Sequence, residues 1–285
     1  MREHAQPFVL AGVMGWPVAH SRSPLIHSHW IAQYGLRGAY VPLPVQPATL
    51  EAALRALPVL GFAGCNLTIP HKIAAVDIVD ELEPLARRIG AANTIVVRTD
   101  GTLLGRNTDA FGFIANLREA RPQWRADAGP AVILGAGGAA RAVLAGLLDA
   151  GATEVRIANR TLETAQQLVR DFADWGPARL QAVPWSERHG ALAGAALLVN
   201  TTSQGMQGHA ALDIALDALP ATALVTDIVY TPLQTPLLQA AAAHGNPTAQ
   251  GLGMLIHQAR PAFEAWFGVL PHTTPGLWTA VTATL

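Results

Sequence analysis

The chain has 285 residues, of which 51% are hydrophobic and 14% charged, and its formal charge is −1. That balance excludes a disordered chain, a basic surface for nucleic acid and a polybasic anchor for anionic membranes, and leaves a small molecule as the expected ligand. A single cysteine, Cys65, excludes an internal disulfide framework, so the expected location is cytoplasmic, and no uninterrupted apolar run is long enough to suggest a membrane span.

The opening run "FVLAGVMGWPVA" reads as a strand. It does not read as a secretion leader, because Glu3 dilutes the positive end and Gly12, Gly15 and Pro17 interrupt the apolar core. After it comes a helix at "SRSP", with Ser23 as N-cap and Pro24 at the first helical position. Ser21 and Ser23 stand where helix amides favour an anion, so they serve either as a cap or as the seat of a small carboxylate. A strand at "AYVPLPV", a helix near Leu50 and a strand at "FAGCNLTI" complete an alternating pattern, which predicts a small α/β domain over residues 1–108.

Within "NLTIPHKIAAV" lies Lys72, the one lysine beside 18 arginines. Arginine stays protonated in proteins, whereas a lysine can give and take a proton, so this position marks a candidate for acid/base chemistry. The segment "HKIAAVDIVDEL" predicts a helix with Lys72 in its first turn. A cation is disfavoured at that end, and a nearby carboxylate would compensate and orient it. Asp109 in "GRNTDAFGF" is the candidate carboxylate, and Asn93 in "GAANT" is a candidate partner for a substrate hydroxyl.

A linker helix from Asp109 to about Ala120 leads to the Pro- and Gly-bearing stretch "RPQWRADAGP", after which a second α/β rhythm runs to residue 250. Its first turn, "LGAGGAAR", follows a strand and opens a helix, the context of a dinucleotide fingerprint at Gly135 and Gly137 with Ala139 or Ala140. The next strand ends at "ANRT", with Asn159 placed 24 residues after Gly135. NAD enzymes present an acid there to the ribose; here Arg160 stands in its place, flanked by Asn159 and Thr161, which favours the 2'-phosphate of NADP. "LLVNTTS" and "ALVTDIVY" read as further buried strands, and the chain from Gly251 onward reads as mostly helical.

Taken together and in order, "SRSP", "NLTIPHK", "GAANT", "GRNTD", "GAGGAAR", "NRT", "NTTSQGM", "DIVYTPLQTPLL" and "GLGMLIHQA" resemble the shikimate dehydrogenase family over nearly the whole chain. The resemblance implies two α/β domains: a split substrate domain, residues 1–108 completed by helices in 251–285, and a Rossmann-like NADP-binding domain, residues 109–250, with a cleft between them. The implied reaction is reversible, NADPH-dependent reduction of 3-dehydroshikimate to shikimate on the route to aromatic amino acids. Ser21 and Ser23 would hold the substrate carboxylate, and Thr68, Asn93, Asp109, Tyr230 and Gln258 its ring. Lys72 would be the acid/base residue with Asp109 as partner. The turn Gly135, Ala136, Gly137, Gly138 and Ala139 would hold the pyrophosphate, Asn159, Arg160 and Thr161 the adenosine phosphate, and Ile228 and Gly251 the nicotinamide side.

The chain departs from the family at Thr164, where many NADP-using members carry a second arginine, and also at Arg106, Ala110 and Gln250. A quinate/shikimate dehydrogenase using NAD or both cofactors therefore stays an alternative, as does a silent metabolite-binding or regulatory protein of the same fold. No metal is expected: His20, His27 and His29 are close in sequence, but His27 and His29 are two apart on a predicted helix and do not share a face, and neither HExxH nor CxxC occurs. His257 has no expected role. Nothing in the sequence decides between a monomer and a homodimer.

Overall fold

The computed structural model describes residues 7–285; Glu3, which enters the argument about the leader, lies outside them. The chain divides into two compact units. One holds the residues up to Thr108 together with Ile256–Thr284, the other Asp109–Leu255 with Leu285.

The first unit runs β1 (Val9–Gly15), α1 (Ser23–Gln33), β2 (Gly38–Pro44), α2 (Leu50–Ala56), β3 (Phe62–Leu67), α3 (His71–Ala74), β4 (Glu81–Leu82), α4 (Pro84–Ile89), β5 (Thr94–Val97) and β6 (Leu103–Arg106). Its sheet has the order β2-β1-β3-β5-β6-β4. Parallel pairing of β1 with β2 and β3 gives way to antiparallel pairing of β5 with β3 and β6. The β5–β6 hairpin turns at Asp100-Gly101, where Gly101 takes φ 84° and the Asp100 carboxylate accepts the Thr102 N–H at 2.9 Å. Helix α1 buries Ser23, Ile26, His27, Trp30 and Ile31, the i, i+3, i+4, i+7, i+8 stripe of a core-facing helix.

Two sequence expectations are corrected here. Helix α1 begins at Ser23 itself, with Arg22 in the cap position, and the Ser21 hydroxyl oxygen accepts the Ser23 N–H at 3.3 Å. The helix expected over "HKIAAVDIVDEL" is one α turn, α3, followed by a 3-10 turn at Ala75–Asp77 and then a strand. The sheet edge captures the chain: Ala92 N–H bonds the Lys72 carbonyl at 2.8 Å and Asp80 N–H bonds the Leu103 carbonyl at 3.1 Å, so tertiary pairing overrides helix propensity.

The second unit runs α5 (Asp109–Ala120), β7 (Ala131–Leu134), α6 (Gly138–Asp149), β8 (Glu154–Asn159), α7 (Leu162–Asp171), β9 (Arg179–Pro184), β10 (Leu197–Asn200), β11 (Leu224–Asp227), α8 (Pro236–Ala243) and β12 (Thr248–Ala249). Its six strands are all parallel in the order β12-β11-β10-β7-β8-β9. Numbered within the unit this is 3-2-1-4-5-6 read from the opposite edge, the doubly wound dinucleotide-binding order, with its switch point between β7 and β10. "AVIL", "LLVN" and "LVTD" are fully buried, as strands covered on both faces must be.

Helices α9 (Gly251–Phe267) and α10 (Pro275–Thr282) close the chain. From α9, Phe263 and Trp266 pack on His27, which also stacks on Tyr40 at 3.9 Å. The Trp266 indole N–H donates to the Ile95 carbonyl at 3.0 Å, and Gly64 at φ 152° leaves room for that ring, which any Cβ there would strike. This aromatic joint attaches the C-terminal helix to the N-terminal sheet and so completes the first unit.

Candidate active site

In the first unit one buried polar network joins three of the predicted residues, Ser23, Asn93 and Gln258. The Ser23 hydroxyl bonds that of Tyr40, which donates to Asn66 Oδ1 at 2.7 Å. Burial first, and then the neighbouring Cys65, hold the Tyr40 phenol well above its usual pKa, so it stays a donor. Asn66 Nδ2 donates to the Asn93 carbonyl and to Thr94 Oγ1, each at 3.1 Å. Asn93 Oδ1 accepts from Thr94 Oγ1 at 3.0 Å and from Thr108 N–H at 2.8 Å, while its amide donates to Thr108 Oγ1 at 3.0 Å and to Gln258 Oε1 at 3.2 Å. Asn93 and Gln258, only 1% and 7% exposed, are therefore oriented by partners on both sides.

Lys72 and Thr68 attach to the same frame through the backbone. Thr68 follows β3 with its N–H on the Met14 carbonyl at 2.9 Å, and its own carbonyl accepts from His71 N–H at 2.9 Å. The His71 ring bonds the Val45 carbonyl at 2.8 Å. With the Lys72 carbonyl held by Ala92, the residue before Asn93, the half-buried lysine rises from a turn pinned at three points. Because α3 is a single turn, it supplies little macrodipole, and the expected penalty on a cation at a helix start falls away.

Asp109 opens α5 in the second unit and is 4% exposed, directly after Thr108 of the network just described. Tyr230 is half-buried beyond β11, in the second unit as well.

The residues expected to hold the cofactor gather at the C-terminal edge of the second sheet. Gly135 takes φ 104°, and a Cβ there would lie 2.6 Å from Thr201 Oγ1. Gly137 caps α6 without a side-chain bond, and a Cβ built on it would meet nothing within 4 Å. This glycine-lined space at the start of a 12-residue helix fits a pyrophosphate, with Ala136 buried behind it and Gly138 and Ala139 in the first helical turn. After β8 the Asn159 amide donates to the Thr161 carbonyl at 2.9 Å and shapes the turn that leaves Arg160 exposed. Arg141 is not a second clamp, since it pairs with Asp171 at 2.7 Å and lies over the Phe172 ring at 5.5 Å. Gly251 packs on the β11 end, where a Cβ would stand 2.6 Å from the carbonyls of Asp227 and Ile228. The residues present thus fit a dinucleotide with a 2'-phosphate.

Sequence reasoning missed Tyr40, Asn66, Thr94 and Thr108 in the first unit, and Asn200, Asp227 and Thr235 in the second. The available signal was a polar residue at the end of an otherwise buried strand, as in "CNLT", "LLVN" and "LVTD". Among the described residues no cluster suited to a metal ion occurs, and no helix is long and apolar enough to cross a membrane.

The sequence matches three family models: the shikimate dehydrogenase substrate binding domain over residues 13–95, shikimate / quinate 5-dehydrogenase over 120–228, and the shikimate 5'-dehydrogenase C-terminal domain over 251–273. Shikimate dehydrogenase (NADP(+)) of Paramagnetospirillum magneticum is 58% identical over 268 residues, which cover 94% of this chain and 96% of that one. The structure of shikimate 5-dehydrogenase from Thermus thermophilus in complex with NADP(H) and shikimate aligns with TM-score 0.85 and 37% identity, covering 97% of this chain and 100% of that one. Quinate dehydrogenase from Corynebacterium glutamicum in complex with NAD aligns with TM-score 0.87 and 31% identity, over 98% and 99% of the two chains. Joined to the doubly wound sheet and the glycine-lined turn, these matches show that the chain belongs to the shikimate dehydrogenase family.

Proposed function

We propose that the chain catalyses reversible reduction of 3-dehydroshikimate to shikimate, with residues 1–108 and 251–285 binding the substrate and residues 109–250 binding NADP, in the cytoplasm. Bound NADPH supplies the hydride. Ser21 and Ser23 hold the substrate carboxylate, and Thr68, Asn93, Tyr230 and Gln258 hold its hydroxylated ring. Lys72 Nζ gives the new alkoxide its proton and takes it back in the reverse direction, with Asp109 fixing the ammonium.

One observation carries this reading: in the turn bearing the only lysine, the Lys72 carbonyl accepts the N–H of Ala92, the residue before Asn93, whose side-chain amide donates to Gln258. A polar network suited to hydroxyls is thus bonded to the turn that carries the one strong cation of the chain that is not an arginine. Thr164 favours a second reading, use of NAD as well, because it adds no charge beside Arg160.

The test is the initial rate of reduced-cofactor formation from shikimate, with NADP and NAD in parallel. Strong preference for NADP supports Arg160 as a sufficient clamp. Equal use or preference for NAD supports the quinate/shikimate alternative, and no turnover with either sinks the enzymatic reading.

A further inference from the structure

Asp227 ends β11 with no exposed surface, and no cation pairs with it among the described residues. Its Oδ1 accepts from Asn200 Nδ2 at 2.9 Å and from the Val229 N–H at 3.0 Å, and its Oδ2 from the Thr235 hydroxyl at 2.8 Å. The Asn200 side-chain oxygen is taken by Thr202 N–H at 3.0 Å and the Thr202 hydroxyl at 2.8 Å, so its amide group faces Asp227 as a donor. Thr235 Oγ1 also accepts the Leu238 N–H at 3.4 Å at the start of α8. Two fixed donors on one oxygen and a hydroxyl on the other suit a carboxylate. Burial pushes its pKa above the usual range, and Thr235, Val229 and Asn200 oppose that push by bonding the charged form.

A buried charge without an opposite charge is unfavourable for folding, and packing alone gives no reason for one here. Its position does. Asp227 Oδ1 and the Asn200 backbone carbonyl bind the N–H groups of Val229 and Ile228, the latter at 3.1 Å, and so shape the turn that carries Ile228. Gly251 abuts the same turn. In the doubly wound order, β10 and β11 belong to the half of the sheet away from the adenosine clamp at Asn159–Thr161, the half that receives the nicotinamide.

We propose that Asp227 is a positioning and charge-setting residue, whose buried carboxylate favours the positively charged oxidised nicotinamide over the neutral reduced one and so tilts this site toward NADP+ relative to NADPH. The inference rests on the cofactor reading given above and adds to it the preferred redox state of the ligand.

The experiment measures dissociation constants of NADP+ and of NADPH without substrate, together with the melting temperature at pH 7, for the wild type, Asp227→Asn, Thr235→Val and Arg160→Gln. Asp227→Asn is expected to raise the ratio of the NADP+ to the NADPH constant about three- to tenfold, the effect of one charge acting through a protein site. Its melting temperature should hold or rise, because the amide keeps both bonds on Oδ1 and donates to Thr235. Thr235→Val retains the charge, so it should melt earlier with an unchanged ratio. Arg160→Gln should weaken both forms alike. If Arg160→Gln weakens both forms and Asp227→Asn leaves the ratio unchanged, Asp227 is a brace and the proposal is overturned. If Arg160→Gln weakens neither form, the cofactor reading fails first and takes this inference with it.

Discussion

The two units offer different materials to the ligands proposed for them. In the first, Ser23, Tyr40, Asn66, Asn93, Thr108 and Gln258 form a chain of buried side chains already bonded to one another. In the second, the cradle is glycine backbone at Gly135 and Gly137, with the exposed Arg160 at the end of the neighbouring strand. A bonded network fixes the directions of its donors and acceptors, which suits the hydroxyl pattern of a small ring, whereas open backbone at a helix start suits any pyrophosphate and would leave discrimination to the charge beside it.

The largest break in this contrast comes at its titratable member. Lys72→Arg keeps the charge but removes proton exchange, and turnover of shikimate should fall about 100- to 10,000-fold with little change in the cofactor KM. A variant with near-normal turnover would remove Lys72 from the chemistry.

Next comes the exposed arginine beside the glycine cradle of the second unit. Arg160→Gln should raise KM for NADP about 10- to 100-fold, the range for losing charge-assisted bonds to a phosphate, and leave KM for NAD unchanged. Parallel loss with both cofactors would mean that the arginine shapes the turn and does not select the phosphate.

A smaller effect separates orientation from stability in the first unit. Asn66→Ala leaves the Tyr40 hydroxyl without its acceptor and should lower unfolding stability by about 1–3 kcal/mol and raise KM for shikimate, but not for NADP. Equal shifts in both KM values would show that the network is scaffolding only.

The remaining effect is an acid sensitivity that involves neither ligand. His27 is fully buried with neither ring nitrogen hydrogen-bonded, and burial pushes its pKa down to about 3. The unfolded chain takes up this proton near pH 6.5 and the folded chain does not until about 3. Stability is therefore whole above pH 6.5 and is lost as pH falls toward 3, by about 1.4 kcal/mol per unit. Urea midpoints between pH 7 and pH 5 should show this decline in the wild type and a flatter profile in His27→Phe.

The legible parts of the molecule were those written in local pattern. "AVILGAGGAAR" announces strand, turn and helix through an apolar run followed by glycines, and the structure has them there as β7 and α6. The helix expected after Lys72 was misread because its end is decided by Ala92 and Leu103, which bond it from a distance along the chain. Tyr40 and Asn66 escaped for a related reason. Each looks like an ordinary strand residue until the register of β1 with β2 and β3 brings their strands to either side of one strand, and only pairing reveals that they meet. Asp109 was visible as a carboxylate at a helix start, but the polar frame just before it was not.

That the pinned turn at His71–Ala74 bears the sole side-chain amine has a practical consequence. Reductive methylation with a carbon-13 label would mark this residue and the chain's first amino group and nothing else. Because every other strong cation is an arginine, one of the two labelled methyl signals reports on the surroundings of Lys72 as ligands are added.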